Sequence, residues 1–156
     1  MSKESMLTPE EILGSTADDF GEERALPTGH WQLQITKAKV VASKSESENA
    51  PKSSFIAYSR PVKPLDDVNE AELENFDYTH ELASYEIPIF VSKDQHKIRR
   101  FAETLGIETG NGSKAGQWAD AMKGATYVGE VYHQQRVNVE PGTLPLVKVR
   151  SPQAIS

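Results

Sequence analysis

Between residues 29 and 41 the chain reads GHWQLQITKAKVV, an alternation of apolar and polar residues that holds from Trp31 to Ile35 and then slips. A period of two marks a strand with one buried face, so Trp31, Leu33 and Ile35 point to a core. After the slip the inward phase falls on Ala38 and Val40, leaving Lys37 and Lys39 outward. A strand over His30–Ala42 exceeds the usual ~5–6 residues, and the break at Thr36 and Lys37 predicts a bulge. The lysines are then either a solvated strand end or a surface facing an anion.

Similar patterning continues downstream. The stretch 43-SKSESENAPKSS-54 can bury nothing and predicts a mobile hairpin loop, and 55-FIAYSRPVK-63 is a second strand. In the acidic segment 64–85, Asn69 and Glu72 imitate a capping pair ahead of Leu73 and Phe76, which predicts a helical turn inside an insertion. The third strand, 85-YEIPIFV-91, carries Pro88, which belongs at an edge or bulge because it lacks an N–H. The period then changes to that of a helix. Ile98, Phe101, Ala102 and Leu105 recur at helical spacing, with Ser92 as cap, Gln95 closing a capping box and Gly106 as the stop. Ala115, Trp118, Ala119 and Met122 repeat that spacing before Gly124, with Trp118 expected in the core.

A fourth strand over 125–139 places Tyr127, Val131, Val137 and Val139 inward and Glu130, Tyr132, Gln134, Arg136 and Asn138 outward, with Gly129 as a kink. The sequence 140-EPGT-143 fits a type II turn, and 146–150 is a last strand. Three strands, two short helices and two strands are the element order of an OB-fold, a mainly β, five-stranded Greek-key barrel. Its domain spans 29–150. Residues 1–28 form an acidic amino-terminal arm, partly disordered, with a short capped turn at 8-TPEEILG-14; 151–156 is a tail.

Composition sharpens this picture. A chain of 156 residues is one domain's worth. It holds no cysteine, which removes disulfides and thiolate metal sites and fits a reducing compartment. No leader pattern and no run near the ~20 apolar residues of a membrane span is present, so the expectation is a soluble, unexported protein. The net charge of −6 is unevenly spread. Residues 1–28 carry −5 and residues 65–86 carry −8, whereas 29–64 carry +4 and 87–156 carry +3. The presumed barrel is thus positive between acidic segments.

Enzymatic signals are weak, and catalytic residues, cofactors and metals are not expected. His30, His80, His96 and His133 stand apart from any metal-binding spacing. Asp66 and Asp67 sit in a solvated acidic run, and the glycines of 110-GNG-112 lack the lysine of a phosphate-hydrolysing loop. Binding signals are better. Single strands are held by a cationic groove and aromatic platforms, and both ingredients occur in Lys37, Lys39, Lys44, Lys52, Phe55, Tyr58, Arg60 and Lys63, with Tyr132 and Arg136 as a further outward pair. Strict alternation does not allow Phe55 and Tyr58 to share one face.

The blocks 26-LPTGHWQLQITKAKV-40, 60-RPVKPLDDVNEAELENF-76, 87-IPIFVSKDQHKIRRFAETLGI-107 and 118-WADAMKGATYVGEVYHQ-134 together resemble, in their order, bacteriophage single-stranded-DNA-binding proteins with an OB core. The resemblance implies a protein that coats exposed strands during replication or recombination in the host bacterial cytoplasm, with replication or recombination proteins as partners. It carries the binding role onto Lys37, Lys39, Phe55, Tyr58 and Arg60. Many such proteins end in an acidic tail. Here the end is 151-SPQAIS-156 and the acidity lies at the other terminus, so a recruiting or self-competing role would move to residues 4–23. Oligomeric state is left open, homo-oligomers on DNA included. The rival expectation is a non-catalytic interaction module whose acidic arm and insertion contact a basic partner.

Overall fold

The computed structural model describes residues 9–10, 24–43 and 48–155. Most of the capped turn expected over 8–14, the acidic stretch up to Glu23, and loop residues 44–47 with Lys44 lie outside the described residues. Five strands, β1 (Gly29–Ala42), β2 (Ser53–Pro64), β3 (Ala83–Ile89), β4 (Thr126–Gln134) and β5 (Leu146–Gln153), close into a barrel in the order β1–β2–β3–β5–β4. Helices α1 (Gln95–Thr104) and α2 (Ala115–Met122) separate β3 from β4. This is the expected mainly β, OB-like barrel.

The slip in β1 is a real bulge. Ile35 pairs with Ser59 and Lys37 with Tyr58, which leaves Thr36 without a partner residue. The Thr36 hydroxyl donates to the Tyr58 carbonyl at 3.2 Å. Trp31, Leu33 and Ile35 are buried as expected, and Lys37 and Lys39 are exposed. Val40 does not follow: it is 59% exposed, although it opposes buried Phe55. β1 pairs with β4 only as far as Gln34, and α2 packs beside the bulge near Ala38, so Val40 lies past the closed part of the wall.

Gly129 marks a second irregularity, a register shift between Val128 and Glu130 against β5. A Cβ at Gly129 would stand 2.4 Å from Val149 Cγ1, which is why a glycine is needed there. β4 ends at Gln134, whose partner is Leu146, and does not reach 139. Val137 and Val139 are accordingly 81% and 47% exposed rather than inward. Once the ladder ends, alternation has no sheet to act upon. The chain turns at Glu140–Thr143, with Gly142 at φ 87° as a type II turn requires. β5 runs on to Gln153, so part of the expected tail belongs to the barrel.

One mouth of the barrel is sealed by α1, whose Phe101 lies 6.1 Å from Phe55, 4.7 Å from Tyr85 and 5.4 Å from Tyr127 between ring centroids. The helix starts later than expected, after a 3-10 turn at Ser92–Asp94. The expected cap by Ser92 with Gln95 is not the one formed: Asp94 precedes α1 without a side-chain bond to it and reaches back over the 3-10 turn, its carboxylate accepting from the N–H groups of Phe90 and Val91 at 2.9 and 3.0 Å. These two donors hold the carboxyl below the usual aspartate range. At the other end, Ile107 N–H bonds to Ala102 O across Gly106, the expected glycine stop. Trp118 is only partly buried, and its indole N–H donates to Ser113 Oγ at 2.9 Å.

The opposite mouth is sealed by two segments. Leu26 is fully buried, and Pro27 O accepts the Trp31 indole N–H at 3.0 Å, so the last residues of the expected arm pack into the fold. The insertion forms the expected turn, a 3-10 helix at Glu70–Leu73 capped by Asn69. Arg24 donates to the carbonyls of Glu74 and Asn75 at 3.1 and 3.0 Å and lies over the Phe76 ring. Tyr78 meets Trp31 edge to face at 4.9 Å. Pro88 sits where β3 has β2 on one side and no β5 partner on the other, the edge position its missing N–H demands.

Three single substitutions have expected stability outcomes. Gly129→Ala should cost about 1–3 kcal/mol in urea unfolding, because the new methyl overpacks against Val149, whereas Gly116→Ala, in α2 with open space around it, should gain about 0.5–1 kcal/mol. Tyr127→Phe should cost about 1–3 kcal/mol by leaving buried Ser59 Oγ without the hydroxyl it meets at 2.8 Å; adding Ser59→Ala should recover part of that loss.

Candidate nucleic-acid interface

Residues 31, 33, 35, 37 and 39 share one parity, so an unbroken strand would send both lysines into the core. The extra residue at Thr36 reverses the phase and turns Lys37 and Lys39 onto the outer wall beside Gln32 and Gln34. On β2 the odd positions Phe55, Ala57, Ser59 and Pro61 are buried, and Tyr58 and Arg60 face out. The ladder therefore sets outward pairs side by side: Lys39 with Ile56, Lys37 with Tyr58, Gln34 with Arg60 and Gln32 with Lys63. At ~3.3 Å per residue this track is roughly 20 Å long.

Local contacts shape the track. Lys39 Nζ lies 5.6 Å over the Tyr58 ring. Arg60 donates through Nε to Gln34 Oε1 at 2.9 Å and also through Nη2, which fixes its guanidinium against β1. Lys52 is exposed just before β2, its N–H bonded to Ile89 O at 2.9 Å. Among the described residues no carboxylate pairs with Lys37, Lys39, Lys52, Arg60, Lys63 or Arg136; the ion pairs involve other cations.

Two expected binding residues are placed elsewhere. Phe55 is fully buried against Phe101, so no base can stack on it; its parity with Ala57 and Ser59 was the signal. Arg136 lies in the loop after β4, not on its outer face beside Tyr132, because the strand has ended.

Tyr132 does face outward, and the pairings join it to the track. Lys37 opposes Tyr58, Tyr58 opposes Ser84, Ser84 opposes Lys148, and Lys148 opposes Tyr132. This row crosses the outer wall and borders a shallow groove of about 180 Å³ between Pro88, Tyr132 and Lys148. Lys148 was not singled out from the sequence, since its neighbour across the barrel is set by the parallel β3–β5 contact, which no local pattern encodes. Its ammonium lies 3.1 Å from Glu86 Oε1. Arg150 stacks over Tyr132 at 4.6 Å and pairs with Glu130 at 3.2 Å. That pairing holds the Glu130 carboxyl below the usual range and raises the Arg150 guanidinium.

Two of the histidines make structural contacts, and His80 and His96 are exposed. His133 Nε2 lies 2.7 Å from Leu26 O, and His30 meets Asp67 through its N–H at 2.8 Å and its Nδ1 at 2.7 Å. Among the described residues no three or more His, Asp or Glu side chains group as metal ligands, and no helix is long and apolar enough to cross a membrane.

The hydrogen bonds from His30 hold the Asp67 carboxyl below the aspartate value, so the stabilisation from this contact is present above the unfolded-state pKa and lost as pH falls through the lower folded-state pKa. In an NMR titration Asp67 should have a midpoint below ~3.9, and His30→Ala should move it back toward that value. With the geometry in place, comparison with protein-family models finds no match, and a search of curated proteins finds none either.

Proposed function

We propose that this chain binds single-stranded DNA without base preference, along the outer wall of β1 and β2, and performs no catalysis. The observation that carries this reading is the contiguous outward placement of Lys39, Lys37, Arg60 and Lys63 around Tyr58, none paired with a carboxylate among the described residues. Unpaired cations in a row suit a flexible polyanion, because each phosphate they neutralise releases condensed counterions. A tyrosine within the row offers a face on which any base can stack.

On this reading the protein coats exposed strands during replication or recombination. The bacteriophage setting, the bacterial cytoplasm and the replication partners rest on the sequence resemblance alone. The second reading, a module that engages a basic partner, draws on the exposed acidic insertion, where Asp66, Glu70, Glu72 and Glu74 lie at the surface of a segment pinned by Arg24.

Charge removal separates the two. Lys37→Ala with Lys39→Ala and Arg60→Ala should weaken binding to oligothymidylate and flatten the log–log salt slope by about 2, at ~0.7 per lost phosphate contact. Tyr58→Ala should cost about 1–3 kcal/mol of affinity with the slope nearly unchanged. Electrophoretic shift at several salt concentrations reads both. Affinity indifferent to salt, or higher for duplex, would sink the DNA reading.

A further inference from the structure

The first turns of α1 carry a charge that the β1–β2 track does not use. Residues 93–100, KDQHKIRR, hold four cations against Asp94. Arg99 is engaged, with Glu103 at 3.5 Å and Thr109 Oγ1 at 3.1 Å. Lys97 lies 3.4 Å from Asp94, but the other oxygen of that carboxylate is already bound by two backbone N–H groups. Arg100 is exposed and has no carboxylate partner among the described residues.

Lys97 and Arg100 stand three apart and so share a helix face. Between that face and the end of β5 is an open groove of about 310 Å³, lined by Lys97, Arg100, Thr104, Tyr85, Phe101 and Pro152. No acidic side chain lines it. Its floor is aromatic, Tyr85 lying 4.7 Å from Phe101. Burial pushes the Tyr85 phenol above the ordinary tyrosine value. Two cations above an aromatic floor, with no carboxylate in the lining, form a set of groups suited to a phosphate ester.

We infer that this α1–β5 groove is a second contact for a single strand, holding phosphates of a segment beyond the one on the β1–β2 track. The inference rests on the DNA-binding reading above. Tyr85 shows how the two surfaces are related: its neighbour Ser84 belongs to the outward row that continues from Lys37 and Tyr58, while Tyr85 itself turns toward α1. On this inference a strand leaving that row passes from the outer face that carries Ser84, over the β3–β5 junction, to the α1 side on which Tyr85 lies. The footprint is longer than the track alone.

The test compares wild type, Lys97→Ala/Arg100→Ala and Lys37→Ala/Lys39→Ala on oligothymidylates of about 5 and about 20 nucleotides, one near the lower end of the ~4–16 nucleotides covered by one barrel of this kind and one beyond its upper end. Lys97, Arg100, Lys37 and Lys39 are exposed, so Tm should be unchanged in both variants. The groove variant should bind the short strand like wild type and the long one more weakly, with the long-strand salt slope reduced by about 1.4. The track variant should lose affinity at both lengths. Unchanged long-strand affinity and slope in the groove variant, with the track variant weakened, would overturn the second contact and leave the DNA reading intact. Equal losses at both lengths in the groove variant would also overturn it, because the strand would then begin at the groove. Failure of wild type to bind either strand would defeat the parent reading, and this one with it.

Discussion

A single extra residue in β1 decides which side of the wall its cations occupy. Thr36 has no partner residue on β2, and the phase it displaces takes Lys37 and Lys39 out of the interior that Trp31, Leu33 and Ile35 fill. The alternative is costly, since two ammonium groups in a core of this size would have to be neutralised or paired. The bulge is therefore also a stability device: it lets one strand be barrel wall in its first half and cationic surface in its second. The same bend releases β1 from β4 after Gln34 and makes room for α2 beside Ala38.

The interior is closed from both ends by aromatic contacts of different origin. At one mouth a helix supplies Phe101, which touches rings from β2, β3 and β4. At the other, Pro27 and Tyr78, far apart in sequence, meet on Trp31, one through its carbonyl and one through its ring. The acidic insertion is held there by its backbone carbonyls on Arg24 and by the Asp67 carboxylate on His30, while Asp66, Glu70, Glu72 and Glu74 remain at the surface. The segregation of charge along the sequence thus persists in space, with cations on the wall and acids over one end.

The architecture was legible wherever period and punctuation agreed. The bulge at Thr36, the helix face of Ile98, Phe101 and Ala102, the Gly106 stop and the Asn69 turn all follow from local patterns that the fold obeys. Errors arose where a pattern outlived its partner strand. Val40, Val137 and Val139 alternate correctly but lie beyond the ladders that would have buried them. Ser92 does not cap α1 because a 3-10 turn comes first, held by the Asp94 carboxylate on two N–H groups ahead of it. In the candidate site, cations were easier to place than rings: charge forbids burial, whereas Phe55 is equally at home on a platform or in a core. Lys148, Tyr85 and the α1–β5 groove depend on contacts between distant segments, which composition and spacing do not report.

The barrel has one thin seam. β3 meets β5 through only two residue pairs, Ser84 with Lys148 and Tyr85 with Val149, while every other junction is longer. An ion pair between Glu86 and Lys148 ties the two strands on the outside, and Phe101 backs Tyr85 on the inside. Local opening starts where the fewest backbone hydrogen bonds must be broken, so this is the line along which the cylinder is least held. The Glu86–Lys148 ion pair is thus a splint across the joint.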